Sequence, residues 1–187
     1  MKSALSEPVG RQLVHSREII CRGYLRDDGL IDIEGSLRDI SEIGTTLPFH
    51  TVGKGGDIHA MRLLMTIGTD RIIRNVEAVI DSGPTPYCPA VAPDYAKLSG
   101  LGIGPGFKRR VKEAVGDVRG CTHLTELVER MAAAAMQTIY AHSRVKSGHS
   151  VAARDNKGRR PRAIGTCHAL RQDGELVRLI WPKGFSE

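Results

Sequence analysis

Between Arg17 and Ile80 the sequence twice alternates polar and apolar residues with period two, each time broken by a short glycine-containing turn, so antiparallel hairpins are the first thing such a chain must build. In the first, Ile19, Cys21, Gly23 and Leu25 share one face and Ile20, Arg22, Tyr24 and Arg26 the other. After Arg26-Asp27-Asp28-Gly29, apolar Ile31, Ile33 and Leu37 alternate with Asp32, Glu34 and Arg38. A two-residue loop would set Leu25 opposite Asp32 and mix the faces. A three-residue loop pairs Leu25 with Ile31, Tyr24 with Asp32 and Arg22 with Glu34, and leaves Gly29 in the left-handed region. Residues 41–56, with Pro48, Gly53, Gly55 and Gly56, read as a loop. The second hairpin carries His59, Met61, Leu63, Met65 and Ile67 on one face, turns at Gly68-Thr69-Asp70-Arg71, and returns with Ile72, Val76, Ala78 and Ile80 inward. Pairing Ile67 with Ile72 sets His59 opposite Ile80 and brings Asp57 and His59 to the end of the sheet where the chain leaves toward Tyr87 and Cys88.

Beyond Pro89 the period becomes helical. The pattern predicts a short helix from about Pro93 to Ser99, a second from Pro105 to near Gly116, and a long third from Cys121 or Thr122 to about His142. The long one carries Leu124, Val128, Met131, Ala135 and Ile139 as its buried stripe, with His123 and Glu126 side by side on a flank. Residues 1–15 read as a loose arm and 166–182 as a final hairpin around Gln172-Asp173-Gly174. The expected fold is α+β in a single domain over 1–187: an antiparallel sheet of two N-terminal hairpins, three helices packed on one face, and a C-terminal hairpin.

Charge narrows the partners. The stretch 144–162 holds seven basic residues against one acid, Asp155, and so carries the whole of the net charge of +6. With no aromatic residue interleaved, this reads as a mobile basic loop rather than a base-stacking surface, and a nucleic-acid partner is disfavoured. No apolar run reaches the roughly 18 residues of a membrane span, and Met1–Val14 lacks a signal-peptide core, so the expected location is cytoplasmic. Cys21, Cys88, Cys121 and Cys167 are too scattered for a disulfide framework and are expected as free thiols.

The residues with chemical capacity gather around Gly120-Cys121-Thr122-His123-Leu124-Thr125-Glu126-Leu127, where a thiol, an imidazole and a carboxylate sit within two turns of a helix start. Asp57 and His59 at a strand start, Cys88 beyond the partner strand, and Cys121 with His123 can converge. Asp57, His59, Cys88, Cys121 and His123 are ligand types for zinc or iron. A metal-free site uses the same groups, with His123 as base oriented by Glu126 and Cys121 as nucleophile or proton carrier. A purely structural alternative has Thr122 capping the helix, His123 and Glu126 paired at the surface and Cys121 in the core. Arg22, Tyr24 and Tyr87 are the candidate substrate contacts.

With those residues in view, the chain resembles the bacterial family catalogued as domain of unknown function 2889. The likeness runs from Ile20-Cys21-Arg22-Gly23-Tyr24 and Asp32-Ile33-Glu34-Gly35, through Val76-Glu77-Ala78, Cys88-Pro89 and Ile103-Gly104-Pro105-Gly106, to Gly120–Leu127 and Thr166-Cys167-His168-Ala169-Leu170. In layout it is also similar to the NifU-type iron–sulfur scaffold proteins. That likeness implies Asp57, Cys88 and Cys121 as ligand positions and a small antiparallel sheet with helices on one face.

The first resemblance, through the occurrence of that family in proteobacteria that consume aromatic compounds, implies a small catabolic enzyme. The expectation is a lyase acting on an anionic, lignin-derived aromatic molecule, with loss of formaldehyde or water. His123, Glu126 and Cys121 would be catalytic, a zinc or iron ion the cofactor, and a homo-oligomer is left open. A non-enzymatic metal or cluster binder, and a nucleic-acid binder using the basic loop, are the competing readings.

Overall fold

The computed structural model describes residues 9–146 and 164–182. The basic stretch expected to be a mobile loop lies, beyond Lys146 and short of Ile164, outside the described residues, as does the arm before Val9. The chain divides into two compact units, Met1–Ile139 and Tyr140–Glu187.

The first unit is the expected α+β layer pair. Four antiparallel strands, β1 (His15–Leu25), β2 (Ile31–Ser41), β5 (Gly56–Ile67) and β6 (Ile73–Ser82), lie in the order β1-β2-β5-β6. The loop between β2 and β5 adds a two-stranded ribbon, β3 (Thr45–Thr46) with β4 (Thr51–Val52). In the first hairpin Leu25 pairs with Ile31, Tyr24 with Asp32 and Arg22 with Glu34, as the three-residue loop requires. Gly29 sits at φ 82°, and the Leu30 N–H donates to Asp28 Oδ1 at 3.1 Å, which closes the turn.

The second hairpin departs from the expected register. Ile67 pairs with Ile73, and the slip between Thr66 and Ile67 then sets Met61 rather than His59 opposite Ile80; a further slip follows between Ala60 and Met61. The turn consumes one more residue than the alternation suggests: Arg71 adopts φ 70°, and Ile72 is drawn away to bridge Gly102. Ile73 therefore takes the inward place. A third slip, between Asp39 and Ile40, decides where Asp57 points. The regular register runs up to the pair Asp39 with His59; beyond it Ile40 pairs with Asp57, leaving Ile58 out of the ladder. One extra residue turns everything beyond it to the other face, so Asp57 and His59 point to opposite sides of the sheet.

One face of the sheet is covered. Inward residues of β2, β5 and β6, among them Ile33, Leu37, Met65 and Val76, form one core with Tyr95 and Leu98 of the 3-10 helix Cys88–Leu98, with Phe107 and Val111 of α1 (Phe107–Val115), and with Leu124, Leu127, Val128 and Met131 of α2 (Thr122–Lys146). The first helix is thus 3-10 and begins earlier than expected, at Cys88. The predicted stripe of α2 is widened by Leu127 and Ala132.

Two strand glycines set how closely α2 approaches. A Cβ on Gly35 would collide with Met131 Sδ, and one on Gly23 with Thr138 Oγ1, so the helix rests on bare backbone.

In the second unit the expected C-terminal hairpin is not formed. His168–Leu170 is a 3-10 turn and Glu175–Ile180 is a helix, α3, in which the Arg178 N–H donates to the Gly174 carbonyl and Val177 is buried. Leu176, Val177, Leu179 and Ile180 follow helical spacing, and that pattern prevails over period two. No helix among the described residues is long and apolar enough to cross a membrane.

Replacing Gly35 by Val should lower stability by about 1–3 kcal/mol through overpacking against Met131. Gly53→Ala, at a position with nothing within 4 Å, should be close to neutral. Urea unfolding of the two variants checks both.

Candidate metal centre

Alternation along β2 carries the inward face from Ile33 through Leu37 to Asp39, so a carboxylate lands where only apolar side chains are cheap. Asp39 is 2% exposed. A buried charge must be paired and hydrogen-bonded. The β1–β2 register supplies the partner directly across, Arg17. Its Nε donates to Oδ1 and its Nη2 to Oδ2, each at 2.7 Å, and its Nη1 donates to Glu126 Oε2 at 2.9 Å.

Three imidazoles close around the same carboxylate. His15 Nε2, at the start of β1, is 3.2 Å from Oδ1; His59 Nδ1, from β5, is 3.0 Å from Oδ2; and His123 Nε2, from the first turn of α2, is 3.6 Å from Oδ2. The His59 and His123 rings face one another, centroids 3.9 Å apart and planes tilted by 33°.

The first turn of α2 is anchored by a buried phenol. Tyr95 donates to the Cys121 carbonyl at 2.7 Å, accepts the Cys121 N–H at 3.1 Å and contacts Thr125 Oγ1 at 2.8 Å. Cys121 Sγ in turn lies 3.9 Å from His123 Nδ1. With Nδ1 turned to sulfur, the tautomer that carries its proton there leaves the lone pair of Nε2, on the Asp39 side, free to bind an ion.

Burial works against ionised Asp39, but the Arg17 hydrogen bonds and charge, joined by His59 and His123, outweigh it and hold the carboxyl below its ordinary range. Burial also lowers His123, and the positive potential of His59 and Arg17 adds to that against the opposing pull of Asp39 and Glu126. His59 Nδ1 is buried and makes no hydrogen bond. Its 3.0 Å separation from Oδ2 is an ion-pair distance, but the alignment is not that of an N–H···O bond. The donor atoms of Asp39, His59 and His123 all lie within 4.8 Å of one another, and this group can hold a metal ion.

Of the residues singled out in the sequence, His59 and His123 meet here and Cys121 stands behind His123. Asp57 does not join them. Turned away by the slipped register, its Oδ1 accepts from Arg38 Nε at 3.0 Å and lies 2.9 Å from Nη2. Cys88 contacts Thr85 Oγ1 at 3.2 Å and is outside the Asp-His-His group. The ligand trio implied by the scaffold layout, Asp57, Cys88 and Cys121, is therefore not the set that gathers. Glu126 binds Arg17 and Arg130 rather than orienting His123.

Arg22 pairs with Glu34 in the β1–β2 ladder, and neither it nor the half-exposed Tyr24 shares the face that carries Asp39. Tyr87, 73% exposed, stands edge to face with Phe49, 56% exposed, centroids 6.1 Å apart.

Three residues escape a motif search: Asp39, Arg17 and His15. Their signal is combinatorial, because the Gly29 register sets Arg17 across from Asp39 and His15 across from Ser41 on the same face.

Both depressed values act in the same direction. Below about pH 6.5 the unfolded chain protonates His123 before the folded one does, and below about pH 3.9 the same holds for Asp39. Their stabilisation is complete above those values and is lost as pH falls through the folded-state ones. In chelator-treated protein, Asp39→Asn should cost about 1–3 kcal/mol at pH 7, with the gap from wild type narrowing below pH 4. Urea midpoints at pH 7, 5 and 3 measure it.

Comparison with known proteins agrees with the likeness carried by the strand and helix-start motifs. No curated protein and no solved structure matches the chain. The family model described as "Protein of unknown function (DUF2889)" matches residues 15–137, a span that contains the whole four-stranded sheet, His15, Arg17, Asp39, His59 and His123. On that match, the chain belongs to the DUF2889 family.

Proposed function

We propose that the chain is an enzyme that uses a divalent transition metal, zinc or iron(II), held by Asp39, His59 and His123, for a lyase-type step on a small anionic aromatic molecule. The observation that carries the metal is a pair of separations. Donors about 2.1 Å from one ion stand about 3.0 Å apart at an octahedral edge and about 3.4 Å apart at a tetrahedral one; His59 Nδ1 and His123 Nε2 lie 3.0 and 3.6 Å from Asp39 Oδ2. The buried, unbonded His59 nitrogen supports the same reading, since an ion would satisfy it. Two imidazoles and one carboxylate are a ligand set for iron(II) and zinc. When bound, such an ion supplies a Lewis acid.

The chain's own groups fill the remaining roles. His15, half exposed and in contact with Asp39, is placed to carry a proton at the edge of the site. Phe49 and Tyr87 present an exposed aromatic pair on the β3–β4 ribbon and the segment after β6, which the topology brings to the end of the sheet where β5 begins. Such a pair suits a flat, aromatic substrate.

Elemental analysis of protein purified without added metal should find about one zinc or iron per chain. His59→Ala and His123→Ala should each weaken binding by at least 100-fold while the circular dichroism of the sheet is kept. Turnover, assayed as formaldehyde or water lost from small aromatic carboxylates, should fall with the metal. Stoichiometric metal without turnover would leave a metal-binding protein in place of the enzyme; absence of metal at equilibrium with excess cobalt(II) or zinc would overturn the site itself.

A further inference from the structure

We infer that Arg17, braced by Glu126, is the positioning residue that makes Asp39 a one-oxygen ligand, so that the protein gives the ion three donor atoms and leaves the other coordination positions to substrate and water. The inference rests on the metal reading above and adds to it the mode of carboxylate binding.

A carboxylate has about four acceptor positions, two on each oxygen. Arg17 approaches as a fork, with Nε on Oδ1 and Nη2 on Oδ2, both at 2.7 Å. Parallel bonds of this kind use the inner position of each oxygen, on the side where the two oxygens face a common partner. An ion bound by both oxygens would need that same side. Arg17 occupies it.

The two outer positions are not equivalent. The one on Oδ1 faces His15 Nε2 at 3.2 Å, whereas Oδ2 faces His59 Nδ1 at 3.0 Å and His123 Nε2 at 3.6 Å. A single oxygen, Oδ2, is thus both turned to the histidines and left with capacity to bind.

The fork is itself held. Arg17 Nη1 donates to Glu126 Oε2 at 2.9 Å, and Arg130 Nη2 stands 3.5 Å from Glu126 Oε1. Glu126 lies three residues after His123 on α2, so the element that delivers one ligand also steadies the arginine that orients another. With Glu126 matching the charge of Arg17, the charge of Asp39 is left for the ion. The three guanidinium nitrogens of Arg17 are all engaged within the protein, which removes it as a handle for an anionic substrate.

The test uses cobalt(II), whose visible absorption responds to coordination number, in the wild-type chain and in Arg17→Met, Arg17→Lys and Glu126→Gln. Freed of the fork, Asp39 can close on the ion with both oxygens. Arg17→Met should therefore weaken the visible bands and change cobalt affinity by about 10–100-fold. Arg17→Lys keeps the charge without the planar fork and should resemble Arg17→Met rather than wild type. Glu126→Gln should shift the spectrum in the same direction by less.

Thermal melts of the metal-free variants report any loss of fold separately, and Glu126→Gln keeps the question open to measurement should Arg17→Met fail to fold. If Arg17→Lys, or Glu126→Gln where that is the folded variant, binds cobalt with the wild-type spectrum and affinity, the inference is overturned with the metal site intact. If the wild-type chain binds no cobalt, it is the metal reading that fails.

Discussion

A carboxylate sealed in the seam between sheet and helix has to be neutralised, and everything at this end of the molecule is arranged around that requirement. Asp39 is nearly solvent-free, and its ionised form persists because Arg17 meets it with two short hydrogen bonds. A buried pair of this kind contributes little net stability when set against an apolar replacement, but leaving either partner alone is expensive. The pair is better understood as a fixed electrostatic feature onto which the histidines converge than as a source of stability.

Which acids join the convergence depends on irregularity in the ladder. In a fully regular β2–β5 pairing His59 would still lie opposite Asp39, but Asp57 would share their face and bring a second carboxylate to the same side. Leaving Ile58 out divides the acids between the two sides: Arg38 takes Asp57 on one, and His59 meets Asp39 on the other. Bulges beside functional sites commonly re-aim a side chain in this way. Here one residue of slip keeps a second aspartate, Asp57, out of the site.

Much of the architecture follows from local patterns. The turn at Gly29 dictates the first register, and that register alone sets Arg17 across from Asp39. The helical spacing after Gly120 likewise places His123 on a flank beside the core stripe. The ladder slips are different, since nothing in Asp57-Ile58-His59-Ala60-Met61 marks the residue that drops out; that choice belongs to partners on the neighbouring strand. The same holds for Glu126, whose helical neighbour His123 is three residues away but whose actual partner, Arg17, lies 109 positions off in the chain. At the C-terminus Glu175–Ile180 satisfies two periodicities at once, and such short apolar runs are ambiguous between strand and helix.

The bare-backbone seat under α2 reaches further than its own packing. Thr138 and His123 are fifteen residues apart, about 22 Å along a helix axis. A rod wedged at Gly23 and Gly35 and pinned by Tyr95 near its first turn cannot roll or slide freely between those points. Enlarging a side chain at the far end would tilt the rod and pry the two stacked imidazoles apart. The spacing of the donor atoms is therefore governed in part from a location that never touches them.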